Sequence, residues 1–224
     1  MEKSALDFSG SWKGTPVYGS RAAPTLYVFR HGQSFFNRMH YFTGWKDSKL
    51  TPLGVSQARK IGRMLKTKKI DVAFVTSLSR SKDTMAEVLG GKIRGRNAAK
   101  FRLHPECGHI FTDDRMIERS YGRLSGTSHE VYKKTHGSGD LQDIRRSYSR
   151  APPGGESIRG MVDGRVGEFL TDLVAYMKKH RVNAAISAHG NSIRALRKML
   201  EGLDEKKAME IENPWDSYFE YRIR

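Results

Sequence analysis

The stretch LYVFRHG, residues 26–32, joins an apolar run of four residues to an Arg-His-Gly turn. A short apolar run that ends at glycine is typical of a buried strand followed by a sharp change of chain direction. A second run of this kind, Ala184–Ala188, leads into His189 and Gly190. The carboxyl ends of parallel strands form the ligand crevice of an open α/β sheet. The two runs therefore predict one crevice that holds two imidazoles and an arginine, a combination that suits an anion.

Strands and helices alternate along the rest of the chain. Thr51 and Pro52 form a helix start, with threonine as the N-cap and proline at the first helical position. The predicted elements are helices at 51–66, 83–89, 157–179 and 192–203, and strands at 25–29, 72–75, 184–188 and 219–223. This alternation predicts a three-layer α/β fold, in which a mostly parallel central sheet is flanked by helices.

Length, charge and cysteine usage limit the class of protein. The chain has 224 residues and a formal net charge of +16, and this length fits one α/β domain with a buried core. We predict a flexible polar leader over residues 1–22 and one folded domain over 23–224. The single cysteine excludes an intrachain disulfide, and no apolar run is long enough to cross a bilayer. Because residues 1–25 lack the apolar segment of a secretory signal and one cysteine fits a reducing compartment, we expect a cytoplasmic protein with no membrane partner.

The positive charge favours anionic partners without choosing among them. Phosphorylated metabolites, nucleic acid and anionic lipid all fit, and a solvated basic surface is the plainer alternative. Residues 90–103 are rich in lysine and arginine and contain no acid, and we interpret them as a solvated loop. No nucleic-acid-binding motif accompanies the charge. We therefore expect no specific nucleic-acid partner, whereas the expectation of a small phosphorylated substrate depends on the histidine and arginine residues described next.

His31 is the candidate nucleophile. A neutral imidazole can attack phosphorus and pass the phosphoryl group on, provided that its other nitrogen is held by an acceptor. Arg30 would bind phosphate oxygens with its planar guanidinium group, and His189 would stabilise charge on the transferring group. An isolated histidine is more often structural. The Arg-His-Gly context at a strand end favours the catalytic interpretation here.

Four further residues carry weaker signals. Arg80 follows the strand predicted at 72–75 and can face the same crevice, although a surface arginine is an equally good interpretation. Glu118 is a candidate general acid for a substrate hydroxyl, with an exposed ion pair as the alternative. The adjacent Arg145 and Arg146 suit a second anionic group on the substrate, with a solvated basic patch as the alternative.

Seven segments together resemble the histidine phosphatase superfamily and, within it, the cofactor-dependent phosphoglycerate mutases. They are RHGQSFFN (30–37), FTGW (42–45), LTPLGVSQA (50–58), ERSYGRLSG (118–126), RRSY (145–148), GGES (154–157) and AHGNSIRALRKMLEGL (188–203). The RHG triplet marks the superfamily, whereas FTGW, ERSYG, RRSY and HGNS are more specific to the mutases. The resemblance implies a phosphoglycerate mutase-like catalytic domain over residues 23–224.

The resemblance also implies a reaction and a role for each residue. Phosphorylated His31 transfers its phosphoryl group to 3-phosphoglycerate; the resulting bisphosphate reorients, returns its other phosphate to His31 and leaves as 2-phosphoglycerate. The primer is 2,3-bisphosphoglycerate, and no metal is needed. Arg30, Arg80 and His189 would complete the phosphate pocket, and Glu118 would act as acid and base. The other residues implied in binding phosphate or substrate are Asn37, Thr43, Gly44, Arg119, Tyr121, His129, Arg145, Arg146, Gly190 and Asn191.

Departures from the family pattern keep a phosphatase of the same fold as the alternative. His129 stands where the family has a substrate-binding lysine. The C-terminal tail that shields phosphohistidine from water in the family is nearly absent, which favours hydrolysis. An insertion that many members carry after Pro153 is also missing, so we expect a monomer or a homodimer. A binding module without activity is a third alternative, against which the two histidines and Glu118 argue.

Overall fold

A five-stranded sheet lies at the centre of the computed structural model, which describes residues 23–90 and 109–224. The strands are β1 (Thr25–Arg30), β2 (Val72–Val75), β3 (His109–Thr112), β4 (Ala184–Ala188) and β5 (Phe219–Arg222). Their order is β3-β2-β4-β1-β5. All neighbouring pairs are parallel except β5, which runs antiparallel to β1 at the edge. The mostly parallel sheet confirms the prediction.

Helices cover both faces of this sheet. They are α1 (Phe35–Arg38), α2 (Pro52–Leu65), α3 (Ser79–Val88), α4 (His129–Arg146), α5 (Ile158–Asp163), α6 (Arg165–His180), α7 (Gly190–Leu200) and α8 (Glu205–Glu210). The start of α2 is the predicted one, because the Thr51 side chain accepts the backbone N–H of Gly54. No helix in the described ranges is long and apolar enough to cross a membrane.

Alternate residues of β1 enter two separate hydrophobic cores. Leu26 and Val28 belong to the core formed with α5, α6 and α7, whereas Tyr27 and Phe29 belong to the core formed with α2 and α3. Successive side chains of a strand point to opposite faces, so burial on both faces requires a layer of helices on each. The three-layer architecture is therefore confirmed, and the carboxyl-end edge of the parallel strands is where a ligand can enter.

Some helix bounds differ from the prediction. The helix predicted over 157–179 is two helices, α5 and α6, because Gly164 between them has non-helical angles of φ −118° and ψ −122°. Helices α3 and α7 begin earlier than predicted, at Ser79 and Gly190, because the chain enters each helix almost directly from the preceding strand. Residues 79–82 and 190–191, which precede the two predicted helices, are therefore the N-terminal turns of α3 and α7.

The sequence prediction misses four elements: α1, β3, α4 and α8. Helix α4 has weak apolar periodicity, and Gly137 interrupts it with a φ of 84°, so its helical repeat is hard to recognise. The leader predicted over residues 1–22 and nearly all of the basic segment 90–103 lie outside the described residues.

Candidate active site

The register of β1 and β4 places the two candidate histidines side by side. Arg30 lies opposite Ala188, so His31 and His189 leave the sheet at the same level. The His31 backbone N–H donates to the Ala188 carbonyl at 2.9 Å, and the two imidazole centres are 5.0 Å apart. Both rings are buried. The crevice predicted from the two glycine-terminated strands therefore brings the histidines together.

His31 is held in one protonation state and one orientation. Its Nδ1 lies 2.7 Å from the carbonyl oxygen of Gly32. A carbonyl only accepts, so Nδ1 carries the proton and Nε2 keeps its lone pair. Burial, followed by the charges of Arg80 and Arg30, lowers the pKa of His31 well below its usual value of 6.5. His31 is therefore a neutral imidazole whose Nε2 can act as a nucleophile.

His189 is fixed from a third strand. Its Nε2 lies 2.9 Å from the hydroxyl of Thr76, the residue that follows β2. Burial is the main cause that lowers the pKa of His189 well below 6.5, and the charge of Arg80 adds to it. Within the described residues, the buried Nδ1 of His189 has no hydrogen-bond partner.

Two guanidinium groups complete the cluster. Arg80 is fully buried and donates from Nη1 and Nη2 to the carbonyls of Lys46 and Gly44, each at 2.9 Å. Arg30 is partly exposed and lies 4.7 Å from the centre of the Trp215 ring system. Burial lowers the pKa of both groups, that of Arg80 to about 10, so Arg80 remains cationic at neutral pH. In the described part of the chain, the buried Nε of each has no partner.

A cavity of about 130 Å³ adjoins this cluster. Its lining contains ten residues predicted from the sequence: Arg30, Asn37, Thr43, Glu118, Tyr121, His129, Arg145, Arg146, Gly190 and Asn191. His31, His189 and Arg80 lie outside this lining, in the buried layer, and the backbone of Gly44 is bound to Arg80.

Glu118 presents a carboxylate at the cavity and is only 7% exposed. Its Oε1 accepts the backbone N–H groups of Arg119 at 2.8 Å and Asn191 at 3.1 Å. The Asn191 side chain in turn donates to the Tyr121 hydroxyl at 3.4 Å. The α7 N-terminus thus orients the carboxylate, which stays within electrostatic reach of Arg30.

Arg165 and Glu156 hold the segment that carries Glu118, a role that the sequence analysis misses. Arg165 donates to the carbonyls of Arg115 and Ile117 at 2.7 and 2.8 Å and to that of Glu118 at 3.1 Å. Glu156 receives the Arg165 guanidinium through both carboxylate oxygens, at 2.8 and 3.0 Å. A planar five-donor group suits this task, because one side chain can bind several acceptors at once.

Arg119 is the one predicted substrate-binding side chain that the structure turns away from the cavity. It is fully buried, and its donors are occupied by the carbonyls of Glu156, Ile144 and Arg150 at 2.7, 3.1 and 2.8 Å. With these bonds it ties together three chain segments. Its placement therefore indicates a structural role instead of the predicted contact with substrate.

The remaining predicted groups also line the cavity. Arg145 and Arg146 end α4, and His129 begins it. Burial and the neighbouring charge of Arg145 lower the pKa of His129 to about 4, so this side chain is neutral at pH 7. The Asn37 Oδ1 accepts the backbone N–H of Ser34 at 3.1 Å and is part of the α1 cap. Thr43 donates from its hydroxyl to a carbonyl of its own loop.

Three lining residues are absent from the sequence prediction: Arg194, Glu212 and Asn213. Arg194 lies one helical turn after Asn191, so the spacing on α7 could have indicated it. Asn213 donates to the Gly190 carbonyl at 2.8 Å, and Glu212 pairs with Arg146 at 2.8 Å. The last two contacts join distant parts of the chain, and no local pattern predicts them.

Acidification should destabilise the folded protein because His31 and His189 are held neutral. Their folded-state pKa values are depressed, so below about pH 6.5 the unfolded chain binds more protons than the folded one. We expect the free energy of unfolding to fall by about 2–3 kcal/mol between about pH 7.5 and pH 5.5 from these two residues. Urea unfolding at both pH values measures this change in unfolding free energy. The fall in unfolding free energy between the two pH values should be smaller in the protein that carries both His31→Asn and His189→Asn. An equal fall in that protein would show that His31 and His189 do not cause the acid destabilisation.

Comparison with known proteins agrees with this geometry. The family profile of the histidine phosphatase superfamily (branch 1) matches residues 26–222. A 2,3-bisphosphoglycerate-dependent phosphoglycerate mutase of Methylorubrum populi is 34% identical, with 89% of each chain covered. A phosphoglycerate mutase of Schizosaccharomyces pombe is also 34% identical, covering 82% of this chain and 83% of its own.

Solved structures share the fold at lower identity. A mycobacterial glucosyl-3-phosphoglycerate phosphatase complexed with VO3 has a TM-score of 0.73 and 23% identity, covering 88% of this chain and 90% of its own. YhfR of Bacillus stearothermophilus has a TM-score of 0.72 and 22% identity, with the same coverage. Since the family profile spans nearly the whole described chain and the mutase relatives exceed 30% identity over most of it, this chain belongs to the histidine phosphatase superfamily.

Proposed function

We propose that this protein is a phosphoglycerate mutase that interconverts 3-phosphoglycerate and 2-phosphoglycerate through a phosphorylated His31, primed by 2,3-bisphosphoglycerate in the cytoplasm. One observation carries the proposal: buried donors without partners surround a neutral histidine nucleophile. They are Nε of Arg30 and Nε of Arg80. An unpaired buried donor is destabilising by about 1–3 kcal/mol, so the cluster favours a ligand with several acceptor oxygens. A phosphoryl group meets that requirement.

The same residues fit the phosphorylated primer. Bisphosphoglycerate, when bound, would supply the phosphoryl group that loads His31. Arg30, Arg80 and His189 would hold its oxygens beside the nucleophile. Arg145 and Arg146 lie on the same cavity as Arg30 and would hold the group at the other end of the molecule.

The residues divide the chemistry between them. Nε2 of His31 attacks phosphorus while the Gly32 carbonyl holds the Nδ1 proton, so the ring keeps its orientation as it gains positive charge. The two arginines stabilise charge on the transferring oxygens. Glu118, fixed by two backbone N–H groups, protonates the leaving oxygen and takes the proton back from the attacking hydroxyl.

A paired cationic wall supports a mutase over simpler phosphate release. A mutase must retain a bisphosphate while it reorients, which calls for anion-binding groups at both ends of the cavity. Arg30, Arg145 and Arg146 all line the cavity, so it offers more than one anion-binding group. The names of the relatives at 34% identity support the same choice.

Phosphorus NMR of the purified protein with 3-phosphoglycerate tests the proposal. Conversion to 2-phosphoglycerate should require a trace of 2,3-bisphosphoglycerate. The protein with His31→Ala serves as the control for contaminating activity. Release of inorganic phosphate without isomerisation would overturn the mutase proposal in favour of the phosphatase alternative.

Arg165→Lys should lower kcat about tenfold and leave KM within about twofold, because it loosens Glu118 without touching the substrate. Lysine keeps the charge but cannot bind three carbonyls and Glu156 together. Initial rates and thermal unfolding, measured on the same preparations, separate positioning from stability. Arg59→Lys is the matched control, since Arg59 makes an exposed pair with Glu87. An unchanged kcat per folded protein would contradict the positioning role.

His129→Lys should lower KM for 3-phosphoglycerate by about three- to tenfold, because it adds a cation to a wall that is neutral at this position. The gain should weaken as salt is raised. His129→Gln, which adds no charge, should leave KM within about twofold. A raised KM or complete inactivation by lysine would show that this position no longer serves substrate binding.

A further inference from the structure

A carboxylate lies among the cations of the candidate active site. Glu212 lines the cavity, and its side chain pairs with Arg146 at 2.8 Å. The same carboxylate is within electrostatic reach of Arg30 and Arg194, which also line the cavity. A negative charge in this place opposes the binding of an anionic ligand. No step of phosphoryl transfer uses Glu212, so its position in the wall needs another explanation.

The backbone that carries Glu212 is firmly held. Arg194 donates to the carbonyl of Ile211 at 2.6 Å, and Arg197 donates to that of Glu212 at 3.0 Å. The next residue, Asn213, is buried, and its side chain donates to a backbone carbonyl of α7 at 2.8 Å. These hydrogen bonds fix the main chain on both sides of the carboxylate. The fold therefore delivers the Glu212 side chain to the wall of the cavity.

The side chain of Glu212, in contrast to its backbone, can move. It is 71% exposed, whereas the side chain of Arg146 is 30% exposed. An exposed ion pair contributes little to stability, because water and salt screen it. A neighbouring cavity of about 680 Å³, which Glu212 and Arg146 also line, provides room for the carboxylate. Glu212 can therefore leave Arg146 without disturbing the fold.

Arg146 is shared between the protein and any ligand that reaches it. Its Nη1 donates to the Met209 carbonyl at 3.3 Å, and its Nη2 donates to Glu212. An anionic group that binds Arg146 either displaces the Glu212 carboxylate or lies beside a like charge, and both weaken its binding. A small anion held beside His31 and Arg30 does not meet this competition directly. The effect of Glu212 thus depends on how far a ligand extends.

We propose that Glu212 is a specificity-determining residue that competes with the distal anionic group of the substrate for Arg146. The distal group is the one that lies away from His31. Glu212 weakens the binding of ligands that reach Arg146 and has little effect on inorganic phosphate. This inference rests on the proposed function, because that function places the distal group of 3-phosphoglycerate at the arginine pair.

Calorimetric titration in a protein with His31→Ala, which lacks the nucleophile, tests the competition by binding alone. Addition of Glu212→Gln removes the negative charge and keeps the shape of the side chain. 3-Phosphoglycerate should then bind about three- to tenfold more tightly, because Arg146 no longer has a charged partner of its own. The gain should shrink as salt is raised. Inorganic phosphate, the second probe, should gain less than about twofold.

Two further variants complete the design. Glu210→Gln removes a charge from an exposed position outside the lining of this cavity and should leave the affinity within about twofold. In a protein with Arg146→Gln, the gain from Glu212→Gln should fall below about twofold, because the competition has lost its object. Unchanged or weaker binding of 3-phosphoglycerate with Glu212→Gln would overturn the competition alone. An equal gain with Glu210→Gln or for inorganic phosphate, or a gain that survives Arg146→Gln, would do the same. Failure of 3-phosphoglycerate to bind while Glu212 is intact would overturn the proposed function and this inference with it.

Discussion

Replacement of His31 by alanine is expected to lower the rate of phosphoryl transfer by at least about four orders of magnitude, because no other side chain within residues 23–90 and 109–224 offers a nucleophile in the same place. His189 is 5.0 Å away between ring centres, but its Nε2 is engaged with Thr76. The wild-type protein should also acquire an acid-labile phosphoryl group, and the variant should not. Steady-state rates and a phosphorylation assay with labelled bisphosphoglycerate measure both effects.

The control for this variant must separate lost chemistry from lost structure. His136→Ala removes an exposed histidine of α4 and should change the rate by less than about twofold. The protein with His31→Ala should still bind inorganic phosphate, because the guanidinium groups of Arg30 and Arg80 remain. Substantial residual turnover, or a phosphoryl group on another residue, would contradict the assignment of His31 as nucleophile.

Replacement of Glu118 by glutamine is expected to lower kcat by about two to four orders of magnitude while KM changes by less than about threefold. Glutamine has the same shape, and its Oε1 can still accept the N–H groups of Arg119 and Asn191. The amide cannot take up or release the proton that transfer to a hydroxyl requires. Initial rates over a range of 3-phosphoglycerate concentrations separate the two parameters.

Glu130→Gln is the matched control, because Glu130 is an exposed carboxylate in the first turn of α4. Its kcat should equal that of the wild type. An unchanged kcat in the protein with Glu118→Gln would reject the acid–base role. A large rise in KM at constant kcat would instead assign Glu118 to substrate binding.

The sequence alone determined the parallel sheet and the meeting of the two histidines. Each histidine directly follows its strand, so the information lies in a few adjacent residues, and the parallel register of β1 and β4 brings the two ends together. The prediction was weaker where periodicity was weak. Gly137 breaks the repeat of α4, and Gly164 divides the predicted helix over 157–179.

Only the tertiary structure decided which polar side chains face the cavity. Arg119 lies next to Glu118 in sequence, yet its donors bind carbonyls from two other segments, while Arg165 reaches the Glu118 carbonyl across 47 residues. Glu212 and Asn213 enter the wall through contacts with Arg146 and Gly190. The arginine side chain is chemically the same whether it binds substrate or backbone carbonyls. Its role depends on which acceptors the fold brings within hydrogen-bond distance. Hydrogen bonds between distant segments produce no periodic pattern in the sequence from which they could be predicted.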